Sequence, residues 1–350
     1  MGLIDIVTNA IKEEASDIFL VAGLPISIRK NGTIIKIGDA RLRLEETESI
    51  INEIYEYAKR EMFTLAHTGD DDFSFAVPGL SRFRVSAFKQ RGSLSAVIRI
   101  ISFDLPKAEE LSIPDAIIHL ADVNKGMVLI TGPAGSGKST TLACMIDHLN
   151  KTTQKHIITL EDPIEYLHRH NLSIVSQREL NADTESFVKA LRAALRQSPD
   201  VILLGEMRDY ETINVAMTAA ETGHLLLSTL HTIGASNTID RIIDVFPANQ
   251  QKQIAVQLSL VLSAVVSQQL VPTVDGGLTP AFEIMTVTPA IRNMIRDGKV
   301  HQIDGVIYSA ARDDMVSMDT SLLHLYNEGK ITKETALRYA TSPEMLERKL

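Results

Sequence analysis

MVLITGPAGSGKSTT, residues 127–141, is the stretch that decides the fold of this chain. An apolar run ends at Gly132, a glycine-rich loop follows, and Lys138 and Ser139 open a helical pattern. The loop matches G-x-x-x-x-G-K-[ST], in which backbone N–H groups turn toward phosphate oxygens and the helix N-terminus adds its positive dipole end. A plain strand-to-helix turn needs neither the lysine nor the hydroxyls. The stretch therefore predicts a site for a nucleoside triphosphate.

The polar groups of the loop have expected roles. Lys138 would bridge the β- and γ-phosphates, and the Ser139 hydroxyl would bind Mg²⁺. Cys144, in the helix that follows, is predicted to be a packed core thiol rather than a reactive one. The residues predicted to surround the nucleotide are Gly132, Pro133, Ala134, Gly135, Ser136, Gly137, Lys138, Ser139 and Thr140.

Length and composition narrow the remaining possibilities. A chain of 350 residues favours two domains, and 23% charged with 45% hydrophobic residues describe a globular protein, neither disordered nor embedded in a membrane. The formal net charge of -9 argues against a general nucleic-acid binder. The single cysteine excludes an intrachain disulfide and an all-cysteine zinc site.

Two segments bear on the location of the protein. The opening residues, MGLIDIVTNAIKEEASD, combine a helical pattern with acids and do not fit a signal peptide. Residues 254–271, IAVQLSLVLSAVVSQQLV, are the least polar stretch but contain three glutamines and three serines. They predict a core helix running into a strand rather than a membrane span. We therefore expect a cytoplasmic protein.

Residues 1–102 predict a small α+β domain. A helix is predicted on LIDIVTNAIKEEA, a strand on DIFLVAG and a hairpin around Asn31-Gly32. A longer helix is predicted from Glu45 to Leu65, followed by strands on DDFSFAVP, RFRVSAFKQ and LSAVIRII. The next segment, SFDLPKAEELSIP, contains two prolines and breaks the periodicity. We place a linker within it, at 103–112.

Residues 113–288 predict an α/β domain. The apolar runs are MVLITG, HIITLED, VILLGE and HLLLSTL, and a helical pattern is expected after each. Strands without polar alternation fit a parallel sheet that is buried on both faces. Residues 289–350 predict a helical C-terminal region.

Ligands in such a sheet bind beyond the carboxyl ends of the strands, and this rule sorts the acidic residues. In DVILLGEMRD, Asp200 precedes the strand and Glu206 follows it, so Glu206 is the candidate that orients and polarises the attacking water. Gly205 stands where many phosphate-loop proteins have an aspartate that binds magnesium.

Two further strand ends carry candidate site residues. Glu161, Asp162 and Glu165 follow the HIITL run and are available to Mg²⁺ directly or through water, with a solvated acidic loop as the alternative. His231 follows the third strand, where its imidazole is placed to sense a γ-phosphate. His224 lies at the opposite end of that strand and favours a structural role.

Four motifs in order resemble the secretion ATPase superfamily of type II secretion systems and type IV pili. They are GPAGSGKST, LEDPIEY, LLGEMRD and GHLLLSTLHT. Within it the chain looks like the pilus retraction (PilT) family over nearly its whole length. PAIRNMIRDGK resembles the C-terminal AIRNLIRE signature of retraction motors, with conservative differences.

The resemblance implies a ring of six subunits, each with a PAS-like N-terminal domain and a RecA-like ATPase domain with nucleotide between them. Arg84 and Arg99 match arginines that contact the phosphates in relatives, a role suited to a permanently charged guanidinium. Glu161, Glu165, Glu206, Lys138 and His231 would complete the catalytic set, with Ser139 and Asp162 at Mg²⁺. In the PAIRNMIRDGK helix, the apolar residues would pack inward, and Arg292 and Arg296 would share another face.

The implied function is a Mg²⁺-ATP-driven motor that docks on an inner-membrane platform protein and retracts type IV pili, which produces twitching motility. The protein would lie in the cytoplasm at the inner face of the cytoplasmic membrane. Three alternatives stay open: a pilus extension or type II secretion ATPase, a RecA-like nucleic-acid motor, and a ring component that binds nucleotide without hydrolysing it. The acidic charge and the lack of an aromatic-basic strip favour no nucleic-acid partner.

Overall fold

The computed structural model describes residues 2–30, 32–101, 103, 105–310, 312 and 314–350, and the chain forms two compact units. The first consists of Met1–Asp104 together with Glu165–Leu167, and the second of Leu105–Ile164 and His168–Leu350. Asn31 of the predicted hairpin lies outside the described residues. The four-part division at 102, 112 and 288 stays a prediction.

The first unit is an antiparallel sheet with three helices. Its elements are α1 (Leu3–Lys12), β1 (Asp17–Val21), β2 (Pro25–Lys30), β3 (Thr33–Arg41), α2 (Leu44–Ala58), α3 (Phe63–Thr68), β4 (Asp70–Val77), β5 (Ser81–Gln90) and β6 (Ser93–Ile101). The strand order is β3-β2-β1-β6-β5-β4, with every neighbouring pair antiparallel. This confirms the predicted α+β architecture.

One face of this sheet carries the core of the first unit. Buried residues of α1 and α2 pack in one cluster with alternate residues of the strands, among them Ile18 and Ile98. Because strand side chains alternate between faces, Asp17 and Arg99 belong to the opposite face. Asp17 and Arg99 are direct partners across β1 and β6.

The predicted helix from Glu45 to Leu65 is wrong as a single element, because α2 ends at Ala58 and α3 begins at Phe63. Lys59 adopts a left-handed conformation (φ 49°) that ends α2. The residue after it, Arg60, forms a two-bond ion pair with the buried Asp71 of β4, at 2.9 Å and 2.7 Å. The apolar pattern of the sequence gives no sign that the helix ends at Ala58. We attribute the interruption between α2 and α3 to this contact between Arg60 and β4.

The second unit is a seven-stranded sheet between helices. Its strands are β7 (Gly126–Thr131), β8 (His156–Glu161), β9 (Ile174–Glu179), β10 (Val201–Leu204), β11 (Leu225–Leu230), β12 (Leu262–Pro272) and β13 (Leu278–Thr286). Its helices are α4 (Asp115–Ile118), α5 (Lys138–Thr152), α6 (Phe187–Ala194), α7 (Tyr210–Glu221), α8 (Ala235–Asp244), α9 (Ala248–Val261), α10 (Pro289–Arg296), α11 (Ile303–Ser309), α12 (Met318–Asn327), α13 (Lys333–Tyr339) and α14 (Pro343–Glu347), with short 3-10 helices at His119–Asp122 and Val300–Gln302.

The sheet of the second unit is buried on both faces, as predicted. The order is β13-β12-β7-β11-β10-β8-β9, and all neighbours are parallel except β12 and β13. In β7, Met127 and Leu129 pack in one core cluster with residues of α6 to α11, while Val128 and Ile130 pack in another with α4 and α5. Burial on both faces is why these runs show no polar alternation.

Two connections test the detail of the sequence prediction. Helix α9 ends at Val261 and β12 begins at Leu262, which confirms the predicted helix running into a strand. After β8, however, the next element is β9 rather than the expected helix. β9 has the sequence IVSQRE and lies at the edge of the sheet. Because it is polar, it lacks the apolar run by which the other parallel strands were predicted. In the described part of the chain, no helix has the length and apolar character needed to cross a membrane.

The topology assembles the predicted motifs at one edge of the sheet. β7, β11, β10 and β8 are consecutive parallel neighbours, so their carboxyl ends meet. The glycine-rich loop follows β7, His231 follows β11, Glu206 follows β10 and Asp162 follows β8.

Candidate active site

The loop between β7 and α5 depends on glycine at two positions. Gly132 has φ of +140°, and a Cβ there would lie 2.1 Å from the Gln268 carbonyl oxygen. Gly137 has φ of +88°, and a Cβ would lie 2.9 Å from Gln268 Nε2. At Gly132 both the backbone conformation and the space require a residue without a side chain, whereas at Gly137 the positive φ is the main reason.

The groups that line the loop fit an oxyanion. The N-cap residue of α5 is Gly137, which has no side chain to cap the helix N-terminus. The Ser136 hydroxyl is 2% exposed and has no hydrogen-bond partner within the described residues, and the same holds for the buried Thr131 hydroxyl. Lys138 Nζ is buried in the loop and donates to the carbonyls of Gly132 (2.9 Å) and Pro133 (2.8 Å). Such donors around a turn suit a phosphate group.

Gln268 of β12 is a site residue that the sequence did not predict. Its carbonyl faces Gly132, and its side-chain Oε1 accepts a hydrogen bond of 2.8 Å from Thr141 Oγ1 in α5. The side chain is 2% exposed. The available signal was a pair of glutamines, 268 and 269, inside an otherwise apolar strand.

Glu206 lies beside two cationic or ionisable side chains. Its Oε2 is 2.7 Å from Arg208 Nε and 3.5 Å from His231 Nε2. The Glu206 side chain is 18% exposed, whereas those of Arg208 and His231 are 71% and 49% exposed. The structure thus brings together the predicted acid of β10 and the predicted histidine of β11, and it shows Arg208 as an ion-pair partner.

Gly205, which stands where many phosphate-loop proteins have an aspartate that binds magnesium, is closely packed against β8. A Cβ at this residue would lie 3.2 Å from the Leu160 carbonyl oxygen of β8 and 3.4 Å from the Glu161 Cα. The Gly205 carbonyl also accepts a 2.6 Å hydrogen bond from Thr229 Oγ1. A side chain at 205 would therefore press on the neighbouring strand.

The three acids at the end of β8 and just after it lie in different surroundings. Glu161 Oε1 accepts hydrogen bonds from Thr159 Oγ1 (2.6 Å) and Gln177 Nε2 (3.3 Å) and is partly buried. Asp162 and Glu165 are exposed. Glu165 belongs to the segment 165–167 of the first unit.

The loop after β11 is fixed by groups from elsewhere in the second unit. The Gly234 N–H donates to Ser267 Oγ (2.9 Å), and the Ala235 N–H, at the start of α8, donates to Glu283 Oε1 (2.8 Å). Burial raises the pKa of the Glu283 carboxyl above its usual range. His224, at the other end of β11, makes a 3.0 Å contact through its ring Nδ1 with the Ala219 carbonyl, away from this edge.

Arg84 and Arg99 are neighbours within the first unit. They lie directly opposite each other on β5 and β6. Arg99 Nε is 3.0 Å from Asp17 Oδ1, yet its side chain stays 64% exposed, and Arg84 is exposed as well. Like charges directly opposite each other repel, and the buried Asp17 offsets this repulsion. The pair presents two permanent cations on one face of the sheet.

Cys144 and α10 match their sequence predictions. The Cys144 thiol is buried, lies 3.6 Å from the Pro106 carbonyl oxygen, and burial raises its pKa to about 11. In α10, Ile291 and Ile295 are fully buried, whereas Arg292 is exposed. Met294 packs against the same core, and Arg296 is exposed.

Comparison with known proteins identifies relatives along the whole chain. A family model described as Type II/IV secretion system protein matches residues 2–344. The chain is 45% identical over 344 residues to the type IV pilus retraction ATPase PilT of Pseudomonas aeruginosa, covering 98% of this chain and 99% of that protein. It is 43% identical over 340 residues to the twitching motility protein of Neisseria gonorrhoeae, covering 97% and 90%.

Among solved structures, the pilus retraction motor PilT with bound ADP matches with a TM-score of 0.89 and 45% identity over 99% of both chains. The fold is therefore that of a two-domain secretion ATPase, a PAS-like α+β domain followed by a RecA-like ATPase domain with a helical C-terminal tail. By family model, sequence and structure together, this chain belongs to the PilT family of pilus retraction ATPases, within the type II/IV secretion system proteins.

Proposed function

We propose that this chain is a Mg²⁺-dependent motor whose phosphate loop binds and hydrolyses ATP to ADP and phosphate, and that this hydrolysis depolymerises type IV pili and so drives twitching motility. The observation that carries the chemistry is the loop before α5. The glycine N-cap of α5 and the buried Ser136 hydroxyl, which has no hydrogen-bond partner within the described residues, suit a phosphate group at this helix N-terminus.

The loop residues bind and orient the triphosphate in this proposal. Lys138, which now donates to two loop carbonyls, would bridge the β- and γ-phosphates, and the partly buried Ser139 hydroxyl would bind Mg²⁺. Asp162, with Glu161 and Glu165, would hold the ion directly or through water. Mg²⁺, when bound, neutralises charge on the phosphate oxygens.

Glu206 is the residue we assign to the attacking water. Its carboxylate lies at the carboxyl edge of the sheet, 3.5 Å from His231 Nε2, and we assign His231 to the γ-phosphate. Arg208 holds the carboxylate through one oxygen. Arg84 and Arg99 supply guanidinium groups to the phosphates, and this step requires assembly.

The motor works as a homohexamer in this proposal. It lies in the cytoplasm, peripheral to the inner face of the cytoplasmic membrane, where it docks on the inner-membrane pilus platform protein. No nucleic acid takes part, since the formal net charge of -9 opposes binding to phosphate backbones.

Glu206→Gln tests the chemistry, because it keeps the shape of the side chain and removes the charge that polarises water. We expect ATP affinity close to that of the wild type and turnover lower by about 100-fold or more. Lys138→Ala, in contrast, should lose ATP binding itself. Nucleotide titration and steady-state phosphate release measure the two quantities separately.

Arg208→Gln is the matched control for this experiment, since it breaks the 2.7 Å ion pair and leaves Glu206 in place. It should retain most of the turnover that Glu206→Gln loses. If Glu206→Gln lost affinity and rate equally, Glu206 would be a metal ligand or a structural residue instead.

A further inference from the structure

Three side chains with metal-binding atoms meet on the second unit in a cluster that the ATPase mechanism does not use. His119 and Asp122 come from the 3-10 helix that precedes β7, and His148 comes from the C-terminal half of α5. His119 Nδ1 lies 2.7 Å from one Asp122 oxygen, and His148 Nε2 lies 2.8 Å from the other. Their ligand atoms all lie within 4.8 Å of one another.

The backbone presents these groups to one point. A 3-10 helix has three residues per turn, so His119 and Asp122 lie on the same side of it. The imidazole rings of His119 and His148 meet edge to face at 5.2 Å. The side chain of His148 is only 20% exposed, while those of His119 and Asp122 are 60% and 45% exposed, so the cluster is anchored on one side and open to solvent on the other.

We propose that His119, Asp122 and His148 bind a divalent transition-metal cation of the zinc type, with water completing the coordination. Two imidazole nitrogens and one carboxylate oxygen are ligands that Zn²⁺ accepts at about 2.0–2.2 Å. In a tetrahedral arrangement the ligand atoms would stand about 3.3 Å apart, a value that lies between the 2.7 and 2.8 Å hydrogen bonds and the 4.8 Å limit of the present cluster. Mg²⁺ prefers oxygen ligands alone, so this site is chemically distinct from the one at the phosphate loop.

The bound ion would join two elements that flank the phosphate loop in sequence. It would tie the 3-10 helix before β7 to α5, the helix that begins at Lys138. Residues 138 and 148 are ten positions apart, about 15 Å along a helix, so the ion would stabilise the fold without contacting the phosphates.

Zinc titration of the full-length, untagged chain tests the site. The calorimetric titration is run in excess Mg²⁺, which occupies oxygen-only sites. We expect one tight Zn²⁺ site per chain, and an affinity lower by about 100-fold for His119→Gln or His148→Gln, since even outer-shell changes reach that size. His119 is the most exposed of the three ligands, so we expect His119→Gln to fold normally, and a loss of affinity in this variant reports on metal binding.

His324→Gln is the matched control. His324 is also an exposed histidine beside a carboxylate, Glu328 at 3.0 Å, but in the described residues no third ligand joins them. It should bind Zn²⁺ like the wild type. Zn²⁺ should also raise the Tm of the wild type and of His324→Gln, but not that of His119→Gln.

Two results would overturn the assignment. One is a wild-type affinity for Zn²⁺ no higher than that of His119→Gln and His148→Gln. The other is an equal loss in His324→Gln, which would mean general binding to surface histidines. Mg²⁺-dependent ATP turnover without zinc should be the same in all four proteins, which separates this test from that of the proposed motor function.

Discussion

Gly132 shows how single residues set the phosphate loop. Its φ of +140° lies in a region that side-chain-bearing residues avoid, and the Gln268 carbonyl lies only 2.1 Å from where a Cβ would stand. Gly135 in the same loop also has a positive φ, +75°, but open space around it. Gly135 therefore shows a positive φ without a collision, whereas Gly132 combines a more strained φ with a collision.

Gly132→Ala should lower ATP affinity strongly and reduce the Tm, because β12 cannot move away without disturbing the sheet. Gly135→Ala should cost only left-handed strain, about 1–2 kcal/mol. Nucleotide titration and thermal unfolding of both variants make the comparison. Equal effects would show that φ alone, and not the contact with Gln268, makes Gly132 necessary.

Cys144 offers a direct test of packing around α5. It is the single cysteine of the chain, it is buried, and burial raises its pKa to about 11. At pH 8 roughly one thiol in a thousand would then be ionised, and the thiolate is the reactive form. We expect iodoacetamide to label the native protein very slowly and the denatured protein fully, as measured by intact mass. Rapid labelling of the native chain would contradict the buried position.

Sequence motifs identify residues whose positions are set by neighbouring residues in the chain. They do not identify contacts between residues that are far apart in sequence. The loop lysine and Glu206 were predictable because phosphate chemistry and strand ends fix their positions. Gln268 was not, because its partner Thr141 lies 127 positions away. The Arg99–Asp17 contact spans 82 positions and has no local signature either.

At the scale of elements, α10 separates a buried face from an exposed one. Ile291 is fully buried, and Arg292 next to it is exposed. Ile291→Ala should therefore cost about 2–5 kcal/mol of stability, whereas Arg292→Ala should change it by less than about 0.5 kcal/mol. A test of partner engagement has to use the exposed face.

Arg292→Ala combined with Arg296→Ala should keep ATP turnover and abolish retraction, because both arginines are exposed and supply no group to the nucleotide site. Cells with this variant should be hyperpiliated and non-twitching, as seen by electron microscopy and stab assays. Normal twitching would remove α10 as the contact surface. Cells that lack pili after deletion of the whole gene would instead show an extension motor.

Helices and strands were predicted correctly where the apolar pattern of the sequence matches the burial of the element in the fold. Four apolar runs became central strands because both of their faces are buried, and the helix-to-strand passage at Val261 and Leu262 followed from composition. The break between α2 and α3 depends on the Arg60–Asp71 pair, and β9 is a polar edge strand. The end of α2 and the existence of β9 both depend on tertiary contacts, which the local periodicity of the sequence does not show.

At the scale of the whole molecule, activity should depend on assembly if the arginines of the first unit contact the phosphates. Arg99→Ala should reduce turnover while ATP binding persists, and dilution of the wild type should lower its specific activity. Arg29→Ala is the matched control, because Arg29 flanks Asp17 from β2 at 4.0 Å, opposite Arg99. Sedimentation measured alongside gives the subunit number. Full activity from a monomer would contradict the ring.

Two adjacent residues of β12 have contacts on opposite sides of the sheet. The Gln268 side chain accepts a hydrogen bond from Thr141 beside the phosphate loop, and Gln269 Nε2 donates to the Tyr339 carbonyl at the end of α13, at 3.3 Å. Neighbouring strand residues point in opposite directions. Two successive residues of one strand therefore hold the phosphate-loop helix on one face of the sheet and the C-terminal helices on the other. The C-terminal helices are thus one residue of β12 away from the contact beside the phosphate loop.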